Sequence, residues 1–138
     1  MQKQIFTFLF FLALFTASAQ KMEADGFTLS ISDVKIEKYK TEFFGSVQNI
    51  TEHNGTYLIQ KGGRQIASQK FSLMNMDGSI TLNFRTAHDT GNTLIYHPET
   101  KTFDFAGEDQ KARSTSNTEN LILSGLLVYA KYLENNGE

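Results

Sequence analysis

Three histidines, His53, His88 and His97, are the side chains best suited to metal binding or general-base chemistry. A zinc site needs such groups to converge with further ligands on one point. Asn54-Gly55 has the composition of a two-residue hairpin turn, and the Pro98 turn follows His97. In a meander this places His53 and His97 at one end of a sheet and His88 at the other. A three-histidine site is therefore not expected, and no metal or cofactor ligands are assigned. Nucleophilic catalysis has as little support. Cysteine is absent, no Gly-x-Ser-x-Gly elbow occurs, and His88 and Asp89, as neighbours on a strand, would point to opposite faces. Gly62-Gly63-Arg64 is too short to cradle a phosphate. No catalytic residue is assigned.

The remaining candidate is a surface. Phe43 and Phe44 are adjacent, and neighbours on a strand cannot both enter the same core face. One of them is expected to be exposed or covered by a partner, which makes the pair a candidate interaction surface. Lys35, Lys38 and Lys40 precede it, diluted by Glu37 and Glu42. With a formal net charge of -2, the chain is a poor match for nucleic acid, and the lysines read as a solvated edge strand that resists sheet-to-sheet association.

The N-terminus has the three parts of a secretory signal peptide. Lys3 is the positive region, Ile5 to Phe15 form an apolar run broken only by Thr7, and Ala17-Ser18-Ala19 supplies small side chains for the peptidase pocket. Cleavage between Ala19 and Gln20 is expected. The apolar run is shorter than the roughly 20 residues that span a bilayer. No cysteine is present for an acyl anchor, and no second apolar run follows. The mature chain is thus expected to carry no transmembrane segment and to be secreted or periplasmic. An exported chain without disulfides suits a bacterial envelope better than a small eukaryotic secreted domain. On that reading the Asn-x-Thr patterns at Asn49 and Asn54 are not glycosylation sites.

The elements that must position these residues are mostly strands. Phe27, Leu29 and Ile31 alternate with polar residues, and the phase then shifts at Asp33, predicting a bulge. Asn54-Gly55, Gly62-Gly63 and Asp77-Gly78 read as hairpin turns. Strict two-residue loops then oppose Ile50 to Ile59, Ile59 to Ile66, Leu73 to Leu82 and Phe71 to Phe84. A connection from Pro98 to Lys101 opposes Tyr96 to Phe103. The polar stretch 107–115 reads as a surface linker. Ser116 and Glu119 form a capping-box pattern that opens a helix over about 117–134, with Leu123, Leu126, Leu127, Ala130 and Leu133 on one face.

The expected organisation is a signal peptide at 1–19 and a single β-rich domain at 20–138. That domain is a mainly β (α+β) fold, an antiparallel meander of about seven strands over 27–106, forming a bent sheet or open barrel with the C-terminal helix packed on it. The layout of strands followed by a helix resembles small ligand-carrying barrels such as lipocalins, without their early Gly-x-Trp signature, since the chain has no tryptophan. The expected function is a small exported, non-catalytic binding or interaction protein whose partner is a protein or a small apolar ligand. One alternative is a lipocalin-like carrier with Phe71, Phe84, Tyr96 and Phe103 lining its cavity. Another is a small periplasmic hydrolase built on dispersed carboxylates and histidines.

Overall fold

Two-residue turns with both residues at positive φ fold the chain back on itself five times in the computed structural model, which describes residues 20–86 and 91–136. They are Asp25-Gly26, Phe44-Gly45, Gly62-Gly63, Asp77-Gly78 and Ala106-Gly107. Such turns twist in the same sense as the strands they join. They connect β1 (Gln20–Ala24), β2 (Phe27–Phe43), β3 (Ser46–Lys61), β4 (Arg64–Met76) and β5 (Ser79–Arg85), and further on β7 (Thr102–Phe105) and β8 (Glu108–Lys111). β6 (Gly91–His97) reaches β7 through the longer Pro98 connection, closed by a hydrogen bond from Lys101 N to His97 O. All eight strands form one antiparallel sheet in sequence order, curled into a half-barrel.

The fold is therefore the expected mainly β meander with one helix, but it gains strands at both ends. The polar stretch expected as a linker contains β8, which pairs with β7 from Thr102↔Lys111 to Phe105↔Glu108. Its charged side chains conceal it from a hydropathy reading, because backbone pairing at a sheet edge requires no apolar residue. The register also corrects one turn. Asn54-Gly55 is not a hairpin connection. It lies inside the 16-residue β3, paired with Lys35 and Ser72 at Asn54 and with Phe71 at Gly55. Consequently the expected row of three isoleucines does not form. Ile50 pairs with Tyr39 and Met76, and Ile59 lies between Leu29 and Ala67.

Other expected pairs are present: Leu73↔Leu82, Phe71↔Phe84 and Tyr96↔Phe103. The bulge expected at Asp33 is there too, with φ 55 and a register break between Ser32 and Lys35. A second break against β4 makes Ile66 the extra residue. That single insertion explains why even-numbered Ile66 and odd-numbered Phe71 and Leu73 all turn toward the core.

Helix α1 (Thr118–Asn135) covers the inner face of the sheet. It starts at Asn117, whose side chain accepts a hydrogen bond from Asn120 N, rather than through the expected Ser116–Glu119 box. Ser116 instead accepts from the Asn120 amide side chain. Helix and sheet meet closely at Gly125, where a Cβ would overlap Leu82 Cδ2. The neighbouring Ser124 is buried, and its hydroxyl bonds both to Ser114 N and to Ser114 O at 2.8 Å. This satisfies a polar group in the core and fastens the approach to the helix.

Candidate functional site

β2 and β3 are the longest strands, and they outrun their neighbours. Their pairing continues to Phe43↔Ser46, whereas β4 ends opposite Ile50. The residues between form a two-stranded arm. Asp77 clamps its base, donating its N–H to Asn49 O at 3.2 Å and accepting from Asn49 N through Oδ2 at 3.3 Å. Phe44 is at the tip. It is 96% exposed and has a φ of 50. Val47 beside it is 61% exposed. A bulky L-residue in the left-handed region is an outlier, since Cβ crowds its own backbone there at a cost of roughly 1–2 kcal/mol. Asparagine, aspartate or glycine would serve the turn more cheaply. Of the expected Phe43–Phe44 surface, Phe44 is thus at the most exposed point of the arm. Phe43 continues the backbone pairing of β2, and its side chain lies outside the described residues.

One long side of the arm is an open edge. β1 covers β2 only from Phe27 to Ile31, so among the described residues no strand pairs with the outer side of β2 from Asp33 to Phe43. Strand alternation puts Ile36, Lys38, Lys40 and Glu42 on one face and Lys35, Glu37 and Tyr39 on the other. On the second face Tyr39 donates to Glu52 Oε2 at 2.7 Å, and Asn54 donates to Glu52 Oε1 at 2.9 Å. The hydrogen bond to the Glu52 carboxylate raises the Tyr39 hydroxyl above its ordinary value of 10.0. The lysines therefore stand on an edge strand, as the sequence indicates.

His53 and His97, expected at one end of the sheet, lie apart, because Asn54-Gly55 is not a turn. His53 is in the middle of β3, between Ile36 and Leu73, only 8% exposed, and its Nδ1 has no hydrogen-bond partner among the described residues. Removal from water favours the neutral ring and lowers its pKa below 6.5, with Lys38 adding to the effect and Glu119 opposing it. The unfolded chain then binds the extra proton more readily than the folded one. Stability present above about pH 6.5 should be lost as pH falls through the lowered value. A fall in Tm between pH 7 and pH 5 that becomes shallower in His53→Phe is the expected result. Equal slopes in the two proteins would refute it. His88 lies outside the described residues. His97, at the end of β6, instead meets Asp104 of β7 and Asp109 of β8, with one donor atom of each within 4.8 Å of the others.

Phe71, Phe84, Tyr96 and Phe103, the expected lining of a carrier cavity, are all buried core side chains beneath α1. Phe84 stacks on Tyr129 of the helix with ring centres 5.4 Å apart, and Tyr96 packs on Phe103 at 5.1 Å. Surface clefts open at two places among the described residues. One, of about 500 Å³, opens at the β2 bulge beside Asp33, Lys35, Asn54, Lys70 and Arg85. The other, of about 380 Å³, is bounded by Phe27, Lys61, Arg64 and Glu134. Most residues lining the first of these are charged or polar, which supplies hydrogen-bonding groups along its walls. Of the expected cleavage pair, Ala19 lies outside the described residues, and Gln20 opens β1 opposite Ile31. No helix among the described residues is long and apolar enough to cross a membrane.

Compared with known protein families, curated proteins and solved structures, the chain matches none.

Proposed function

We propose that this chain is an exported, non-catalytic interaction protein that engages an extended segment of another polypeptide through the β2–β3 arm. The observation that carries this reading is Phe44, a fully projected aromatic ring held in a left-handed turn where a smaller residue would cost less. Strained backbone of this kind clusters where proteins bind or react. Export is supported by the signal-peptide pattern. Cleavage between Ala19 and Gln20 would leave all eight strands intact.

Among the described residues, the open edge of β2 supplies unpaired backbone donors and acceptors, the requirement for adding a strand. Its charges argue against a second copy in the central registers, whereas registers centred on Ile36 or Thr41 would oppose Lys35 to Glu37 or Lys40 to Glu42. In antiparallel pairing of two identical edges, opposed residues must share a face and therefore have the same parity. A register centred on Glu37, Lys38 or Lys40 sets that residue against itself, and one centred on Tyr39 sets Lys38 against Lys40. Like charges directly opposed destabilise a sheet. The better complement is a foreign strand with two acidic residues spaced two apart, facing Lys38 and Lys40, and an apolar residue reaching Phe44.

Selection from a displayed library of random peptides by the mature protein is expected to enrich such acidic, extended sequences. A synthetic peptide of the selected sequence should bind at least tenfold more weakly to Lys38→Glu/Lys40→Glu. Phe44→Asn should bind it more weakly as well, yet gain about 0.5–1 kcal/mol of stability by relieving the turn. Undiminished binding by both variants would overturn the proposal. So would a chain recovered from its own host with residues 1–19 still attached, which would remove the export half of it.

A further inference from the structure

We infer that the outer face of β6–β7–β8 carries a divalent transition-metal site formed by His97, Asp104 and Asp109. Asp104 and Asp109 are directly opposed across the β7–β8 ladder, and Ile95↔Asp104 pairing places His97, two residues along β6, on the same face. One donor atom from each of the three lies within 4.8 Å of the others.

Two features distinguish this group from an ordinary acidic surface. Opposed carboxylates destabilise a sheet unless a cation stands between them. Here neither carboxylate has an ion pair or hydrogen bond among the described residues, although Asp104 is half-buried. Glu99 adds a third negative charge, its Oε1 3.8 Å from His97 Nδ1. The one lysine on the same ladder, Lys111, is directed to the Thr100 carbonyl. A metal would supply the missing positive charge.

The donor set selects the metal class. One imidazole and two carboxylates suit zinc or manganese better than calcium, which takes six to eight oxygens, or copper(I), which prefers sulfur. Three protein donors leave further coordination positions to water. The three ligands also come from three successive strands, so a bound ion would pin the four-residue β8 to the sheet.

The test uses the mature protein without a polyhistidine tag, stripped of metal and titrated with zinc chloride. The wild type is expected to gain roughly 8–12 °C in Tm when free zinc exceeds Kd a hundredfold. Amide exchange at Glu108–Lys111 should slow in parallel. Both responses should be lost in His97→Gln and in Asp109→Asn. Without zinc, Asp109→Asn should have a Tm equal to or above that of the wild type, because it removes one of two opposed charges. Asp109 is exposed, so this variant keeps the fold. Absence of any zinc response up to about 1 mM, or a response that persists in both variants, would overturn the assignment.

Discussion

Phe84→Ala is expected to lose about 3–5 kcal/mol of stability. That is a large share of the roughly 5–15 kcal/mol that holds a domain of this size together. Phe84 is fully buried on β5, opposite Phe71 in the ladder. Its ring stacks on Tyr129 of α1, with the two planes 8° apart, and meets Tyr57 of β3 edge-on at 5.4 Å. Tyr57 in turn donates its hydroxyl to the carbonyl of Arg85, next to Phe84. One side chain thus joins two strands of the sheet to the helix. Truncation would remove the ring contacts with Tyr57 and Tyr129 and leave a void that the paired strands cannot collapse to fill. Phe84→Leu, which keeps most of the volume, should cost nearer 1.5 kcal/mol. Urea unfolding of the three proteins measures both differences. A loss under 1 kcal/mol for the alanine variant would show that the helix does not seat on the sheet at this point.

The second large effect falls on Gly55. Gly55→Ala is expected to cost about 2–3 kcal/mol, and Gly55→Val more. A Cβ on Gly55 would lie 2.8 Å from Phe71 Cε2 and 2.8 Å from the carbonyl oxygen of Ser32. The ring could tilt, but the carbonyl belongs to the backbone of β2 at the bulge and cannot move without opening it. Ordinarily, replacing a glycine within a strand strengthens the strand, because the side chain restricts the unfolded chain and packs on its neighbours. The sign is reversed here by crowding alone. The partner residue supplies the check. If Phe71 is one of the two obstacles, Gly55→Ala combined with Phe71→Leu should be less destabilised than the sum of the two single changes, with a coupling of roughly 0.5–1 kcal/mol. Strict additivity would place Gly55 away from Phe71, as in the hairpin turn that Asn54-Gly55 suggests.

That dipeptide shows where local signals fail. Asn-Gly is a strong hairpin signal because both residues accept positive φ, yet this pair is kept extended by two partner strands. The turn that does end β2 is Phe44-Gly45, whose first residue favours no such conformation, so its composition gave no warning. Gly62-Gly63 and Asp77-Gly78 were legible because composition and tertiary pairing agree there. The Asp33 bulge was legible for a related reason: a phase shift in alternation has to be absorbed by an extra residue somewhere in the strand.

The candidate sites divide in the same way. Phe44 could be singled out from its neighbour, since two adjacent phenylalanines cannot share one face of a strand. Its place at the tip of an arm depends on β2 and β3 extending past β4, which is a matter of relative strand length. The His97 group was hidden altogether. It requires Asp104 and Asp109 to be opposed, and that follows only from the Ala106-Gly107 turn inside a stretch too polar to read as a strand.

The sequence by itself determined the period of the core strands, the helix that covers them and the absence of thiol chemistry, because each of these is set by side chains close together in the chain. Only the tertiary structure decided which glycine turns and which lies within a strand, which edge stays open, and which carboxylates face each other. Those depend on register, and register is chosen by the packing of whole strands against one another and against α1.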